Sequence, residues 1–421
     1  MIHQNSIVLQ DIKIEKENGW RKIRYNYTAP DLFKKYIKGE NYLFLEFPVG
    51  DTEEIPKAVL MIPFVGVMST AAMLFGLEIQ VPELDRVFFE SLKNVEHVFN
   101  SIYHTDKIKI NVSANSLVDC SYVPKGVKSL FFTGGVDATS ALVSTISKKP
   151  ILLNIWGGDL RLTDDASHKE LDSYLYKLTS ATGLHYNFIK TNAREMFDEN
   201  ALGEVCLGIL DRKYVHDWWS SIAHILSMVS SIAPFVYAKK IQTHYIGSSY
   251  KTSSETFDSN NVELVDVIKY CSCIFSMIDE NLERSEKVKK IIQFRKEFKV
   301  QKGKDIPLEL KVCWNRSAGK NCCSCEKCYR TIMNIVVNHG NPNDYGFKVD
   351  KSLMFNMKKY LLTHKVNSAF WEPIQKEFYN DKEFWAKQED VSWILHIKFN
   401  SIRVYIMRVV GIIVSFVNKK N

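Results

Sequence analysis

From Lys128 onward the chain alternates strand-like and helix-like segments, and this alternation restricts the fold more than any other feature of the sequence. KSLFF leads through TGGVDA into TSALVSTIS, and ILLNIW (151–156) follows. A stretch with Glu170, Leu171, Tyr174 and Leu178 on one helical face precedes LHYNFIK (184–190). A long helical region over about 210–238 then leads to THYIGSS (243–249). Strands separated by helices predict βαβ units and a parallel sheet, so the expected class is α/β with a Rossmann-like parallel sheet.

That block sets the domain boundaries. Residues 1–125 alternate short apolar runs with charged turns and read as an N-terminal α+β domain. Tyr122-Val-Pro-Lys-Gly126 marks a turn and a change of style. Residues 126–340 form the expected α/β domain that carries the motifs below. Residues 341–421 read as a C-terminal helical extension with Trp371, Trp385 and Trp393. The length of 421 residues suffices for such an arrangement.

The turn in the first βα unit is Thr133-Gly134-Gly135-Val136-Asp137-Ala138-Thr139. Glycines let a backbone approach an anion, and the free N–H groups of a helix start point at it. Thr133 and Thr139 add hydroxyls, and Asp137 suits a Mg²⁺ ion held together with phosphate. The loop lacks the Lys-Ser/Thr pair of a Walker loop, and its spacing is not the dinucleotide fingerprint. A plain helix start is the bland alternative.

The second motif is Cys313-x8-Cys322-x2-Cys325-x2-Cys328. Four thiolates at this spacing suit Zn²⁺ in a closed, structural site. An iron–sulfur cluster or a redox dithiol would use the same residue type. Lys320, Lys327 and Arg330 are placed to offset the charge, and Cys323 is out of step. Cys271 and Cys273, in KYCSCIF, read as strand residues of the core. Nine cysteines without an apolar leader at the N-terminus point to metal rather than disulfides and to the cytoplasm.

Net charge is +7, from 55 basic and 48 acidic residues, and no basic tract is dense enough to argue for nucleic acid. Ala58–Leu77 is uncharged but interrupted by Pro63, Gly66 and Gly76, which favours a buried strand and helix over a membrane span. The tail SIRVYIMRVVGIIVSFVNKKN (401–421) reads as a packed terminal element, with contact at a membrane surface as the alternative. A homodimer is left open.

The loop resembles the SGGxDS loop of the PP-loop ATP pyrophosphatases, with Thr133 for the first serine and Ala138 for the second. Together with the cysteine spacing, residues 126–335 resemble the 7-cyano-7-deazaguanine synthase family. Trp156-Gly157-Gly158-Asp159 and His168-Lys169-Glu170-Leu171 are looser versions of that family's turn and helix after the second strand. The first 125 residues have no counterpart there, nor does the family's purine-reading segment occur here. Ile246-Gly247-Ser248-Ser249-Tyr250, Leu310-Lys311-Val312-Cys313-Trp314 and Cys325-Glu-Lys-Cys328-Tyr-Arg330-Thr resemble a bacterial group that shares the loop and the cysteine site and brings no substrate with it.

The resemblance implies an adenine nucleotide alpha hydrolase-like fold, bound ATP and Mg²⁺, and cleavage between the α and β phosphates. It places adenine at the end of the second strand, near Asn154, Trp156 and Asp159. Gly247, Ser248 and Ser249 end the fourth strand and should face the same crevice. Arg284 and Lys287, three apart on a helix, share a face that either clamps pyrophosphate or is merely solvated. His224, near Trp218 and Trp219, faces the site or is a satisfied core histidine. The expected activity is adenylation of a carboxylate or carbonyl group of a small molecule, with Asp137, Lys287 and Arg284 acting on the phosphates. An ATP-binding module without turnover, signalled by Ala138, and a membrane-associated assembly factor are the competing readings.

Overall fold

The computed structural model describes residues 5–39, 41–50, 54–249, 251, 258–313, 315 and 319–399. Tyr250, Trp314 and the tail at 401–421 lie outside them. The chain divides into two compact units. The first comprises Met1–Thr133, Ser144–His168 and Thr182–Leu282, and the second Gly134–Val143, Lys169–Ala181 and Glu283–Asn421.

The first unit is α/β and holds ten strands: β1 (Ser6–Glu17), β2 (Trp20–Thr28), β3 (Tyr42–Pro48), β4 (Glu78–Asp85), β5 (Asn111–Val118), β6 (Val127–Phe131), β7 (Ile151–Trp156), β8 (Tyr186–Thr191), β9 (Ile241–Gly247) and β10 (Ile274–Ile278). They form one sheet in the order β10-β9-β6-β7-β8-β3-β2-β1-β4-β5. The five strands from β10 to β8 run parallel, as do β1, β4 and β5 in their pairings. Among the named strands of the described residues, β1–β2, β2–β3 and β3–β8 pair antiparallel. Strands from before and after residue 125 therefore share one sheet, joined where Leu45 and Glu46 of β3 pair with Thr191 and Lys190 of β8.

Local chemistry accounts for these elements. β3 alternates, with Leu43, Leu45 and Phe47 buried between half-exposed neighbours. β7 is buried along a continuous Leu-Leu-Asn-Ile run, as parallel strands covered on both faces are. Asn18 and Gly19, at φ 49° and 76°, make the two-residue turn between β1 and β2. Asp85 starts the helix Arg86–Ile102 by accepting from the Phe88 N–H at 2.9 Å.

Two apolar helices form the centre of this unit. Lys57–Ala72 is buried on all sides, as an all-round apolar helix must be. The sequence suggested a strand and a helix over this stretch. The structure makes it a helix ending in a turn, because Pro63 and Gly66 are tolerated where neighbours cover the backbone. Gly66 is required there, since a Cβ would lie 1.9 Å from Ser230 Oγ. Trp219–Ala238 is, among the described residues, the one helix long and apolar enough to cross a membrane, and 78% of its most apolar stretch is buried inside the protein. It opens with a π-helical turn, Trp219–Ala223, after a break from the helix Glu199–Ile209.

The second unit is helical. Its main helices are Arg284–Lys302, Glu326–Val337, Lys351–Thr363 and Ser368–Asn380. Glu283 and Glu286 form a capping box at the start of the first. The indole of buried Trp371 donates to Glu326 Oε1 at 3.1 Å, and the Arg330 guanidinium lies over Phe370 at 4.1 Å. Trp371, Trp385 and Trp393, the aromatic anchors noted in the sequence, are all buried.

Candidate functional site

In the second unit the glycine loop opens a helix whose bounds are Val136–Thr145. Gly134 has φ +75°, and a Cβ on it would lie 3.3 Å from Tyr174 Cε1 and 3.5 Å from Lys311 Cβ. Glycine therefore suits the left-handed conformation, and a side chain would press on Tyr174 by a few tenths of an ångström. The Gly135 carbonyl accepts from the Thr139 N–H at 2.9 Å and so closes the first helical turn. The first N–H groups of any helix have no partner within it. Thr139 is buried, and its hydroxyl has no hydrogen-bond partner among the described residues.

Asp137, in that first turn, meets the two basic residues singled out on the later helix. Arg284 Nη2 is 3.1 Å from Oδ2, and Lys287 Nζ is 3.5 Å from Oδ1. The Lys287 side chain is 1% exposed, so the solvated-face alternative does not describe it. Two cations on one carboxylate leave the trio with a net charge of +1 beside a helix N-terminus, a setting that attracts anions.

Sequence reasoning missed Lys311. Its N–H donates to the Gly134 carbonyl at 2.7 Å. Its ammonium lies 3.2 Å from Glu309 and 3.6 Å from Glu170, and 5.2 Å from the Tyr174 ring centre. The only local hint was its place two residues before Cys313, which says nothing about what lies 177 residues earlier.

The four cysteines converge in the same unit. The Sγ atoms of Cys313, Cys322, Cys325 and Cys328 all lie within 4.8 Å of one another, with Cys313 and Cys325 at 3.9 Å. Tetrahedral Zn–S bonds of about 2.3 Å put sulfurs about 3.8 Å apart, so the set can hold a metal such as zinc. Cys325 is the N-cap of the helix Glu326–Val337 and Cys328 sits in its first turn, where the helix dipole favours thiolates. The N–H groups of Asn315 and Cys322 point at Cys313 Sγ at 3.2 and 3.4 Å, and that of Ser324 at Cys322 Sγ at 3.4 Å. Cys323 has φ +54° and accepts instead from the Lys348 N–H at 3.3 Å, which takes it out of the set.

In the first unit, Thr133 follows β6, the strand at which the order of the parallel block reverses. Asn154 is buried in β7 and donates to the Phe132 carbonyl at 3.1 Å, while its Oδ1 has no partner among the described residues. Trp156 is already engaged: His168 stacks on it at 3.8 Å and Lys190 Nζ lies 4.6 Å from its ring centre. Gly157 turns the chain at φ +106°, where a Cβ would fall 1.7 Å from the Thr191 carbonyl oxygen. Asp159 pairs at 3.4 Å with Arg194, whose stronger bonds go to Glu199 at 2.8 and 2.9 Å.

At the end of β9, Gly247 accepts from Asn260 Nδ2 at 3.4 Å and the Ser249 N–H donates to Asn260 Oδ1 at 3.1 Å. Ser248 is buried, and its N–H continues the sheet to Ile278 at 3.0 Å. His224 meets the Trp219 ring at 5.5 Å, and Trp219 carries the Arg194 guanidinium at 4.4 Å. Cys271 and Cys273 lie just before β10 rather than in it, in a turn with Cys271 at φ +50°, and burial pushes the Cys273 thiol up to about 12. Both are plain core residues.

Comparison with protein-family models, with curated proteins and with solved structures finds no match for this chain.

Proposed function

We propose that the chain is an ATP-dependent enzyme of the PP-loop type, with phosphates bound at Gly134–Thr139 and the adenylyl group passed to a carboxylate or carbonyl oxygen of a small acceptor as pyrophosphate leaves. The observation that carries this reading is the carboxylate of Asp137 in the first turn of a glycine-opened helix, held by Arg284 and buried Lys287. The order of the parallel strands, 3-2-1-4-5 counted from β6, supports it. That is the order of doubly wound nucleotide-binding sheets, which place ligands beyond the strand ends where the order reverses.

The residues fit a polyphosphate. Gly134 and Gly135 keep the loop free of side chains at the helix start, and the orphaned Thr139 hydroxyl offers a hydrogen bond to a ligand oxygen. Arg284 and Lys287 supply two positive charges, and their pull on the leaving pyrophosphate would grow as charge builds there. Mg²⁺ would arrive with the phosphates, since this ion usually takes only one or two carboxylates from a protein. Asp137 is the carboxylate in place to receive it once the phosphates draw its two cations away.

The Trp156 ring, which the sequence offered for the adenine, already has two partners and is a poor candidate for stacking on a base. Zinc at the four cysteines would be structural, since four thiolates leave no open coordination position.

One observation favours a second reading, a nucleotide-binding module without turnover: Ala138 stands where the resembled loop has a serine hydroxyl. ATP titration followed by a pyrophosphate-release assay over a panel of carboxylate and amine acceptors separates the two. Binding with acceptor-dependent release supports the enzyme. Binding without release, even in Ala138→Ser, supports the module, and no binding in either variant ends both readings.

A further inference from the structure

Lys311 touches the glycine loop and the cysteine loop at once. Its N–H holds the Gly134 carbonyl at 2.7 Å, and its ammonium donates to the Gly319 carbonyl at 3.4 Å. Gly319 lies in the loop that Cys313 and Cys322 close. Asn321 of that same loop accepts from the Val312 N–H at 3.1 Å and donates to the Leu310 carbonyl at 2.7 Å. The three-residue segment that clamps Gly134 is thus itself held on both sides by a loop built around four thiols. The Lys311 side chain, 10% exposed between Glu170 and Glu309, fixes its place.

Metal binding to a set of thiolates contributes folding free energy to the segments that carry them. Gly134 at φ +75° has, in turn, much conformational freedom to lose. A loop held ready binds an anion without meeting that entropy cost at the moment of binding.

We propose that Lys311 is a positioning residue through which the glycine loop is ordered only when the four-cysteine site holds its metal, so that binding of a phosphate-bearing ligand depends on the metal. The ligand half of this statement rests on the nucleotide reading above, while the coupling of the two loops stands on the contacts alone.

The test compares the zinc-loaded full-length chain, the same chain stripped by a chelator, and the variants Lys311→Met and Lys311→Arg. Hydrogen exchange is followed in peptides covering residues 133–143, and inorganic pyrophosphate with and without Mg²⁺ serves as the binding probe. Stripping should speed exchange in that segment and weaken pyrophosphate binding, each about tenfold, in the usual range of coupling between sites. Lys311→Met should do the same with one zinc still bound per chain, and Lys311→Arg, which keeps a cation between the two glutamates, should restore most of it.

The proposal is overturned if Lys311→Met, with its zinc, exchanges in 133–143 and binds pyrophosphate as the unaltered chain does. Should the stripped chain unfold throughout, shown by exchange across β1 to β5, the Lys311→Met comparison decides by itself. If the unaltered chain binds neither pyrophosphate nor ATP, the nucleotide reading fails while the exchange result still decides the coupling.

Discussion

Replacing Asp137 with asparagine should move two properties in opposite directions. The change removes one negative charge and little volume. Lys287 Nζ, on a side chain that is 1% exposed, loses a counter-charge at 3.5 Å, and Arg284, a third exposed, loses one at 3.1 Å. Removing one member of a buried pair costs about 3–5 kcal/mol, whereas an exposed pair contributes roughly 0–1 kcal/mol. Asp137 is itself 22% exposed. The asparagine oxygen also keeps a hydrogen bond, so the loss of stability should fall near 2 kcal/mol, roughly between those two limits.

The net charge of the trio meanwhile rises from +1 to +2, since an arginine and a lysine remain and the aspartate is gone. Pyrophosphate without Mg²⁺ should therefore bind about tenfold more tightly, a modest share of the Coulomb energy available near a surface. Urea unfolding measures the first effect and calorimetric titration the second. An unchanged unfolding midpoint together with unchanged pyrophosphate affinity would refute the reasoning, because it would mean that Asp137 neither neutralises Lys287 nor shields an anion site.

Three further outcomes are expected. Gly157→Ala should destabilise by more than about 3 kcal/mol, because its Cβ would overlap the Thr191 carbonyl, whereas Gly183→Ala, with φ +71° and nothing within 4 Å, should cost only about 1–2 kcal/mol for the left-handed conformation; equal losses in thermal unfolding would contradict this. Burial lowers His244 to about 3, so the unfolded chain binds the extra proton first. Stability should then fall by up to about 1.4 kcal/mol per pH unit from pH 6.5 down towards 3, and His244→Phe should flatten that slope in urea titrations at several pH values. Metal analysis should find one zinc per chain, lost on replacing Cys322 or Cys325 with serine but retained in Cys323→Ser; iron with a visible chromophore would contradict the assignment.

Much of the site is local, and local features can be read directly. Zinc-type ligands sit at short spacings because one loop and one helix turn must supply them, and Cys322, Cys325 and Cys328 lie within seven residues. The odd cysteine, Cys323, shows up for the same reason. The glycine turn between β6 and its helix was equally visible, since strand, turn and helix are consecutive. The alternation of β6, β7, β8 and β9 with helices announced the parallel block. Boundaries shifted by a few residues, as with β9 at Ile241–Gly247, because sheet pairing rather than propensity ends a strand.

The sequence by itself determined the parallel βαβ block, the glycine loop and the four-cysteine set, all of which depend on neighbours along the chain. Tertiary structure alone decided the partners. Asp137 meets Arg284 and Lys287 across 147 and 150 residues, and Gly134 meets Lys311, because segments that share no local pattern are brought together by burial. It also decided that β3, pairing with β8 over two residue pairs, joins the N-terminal strands to the parallel block in one sheet. An alternating strand records which of its faces is buried. It does not record which other edge it will hydrogen-bond, since backbone groups are the same at every residue.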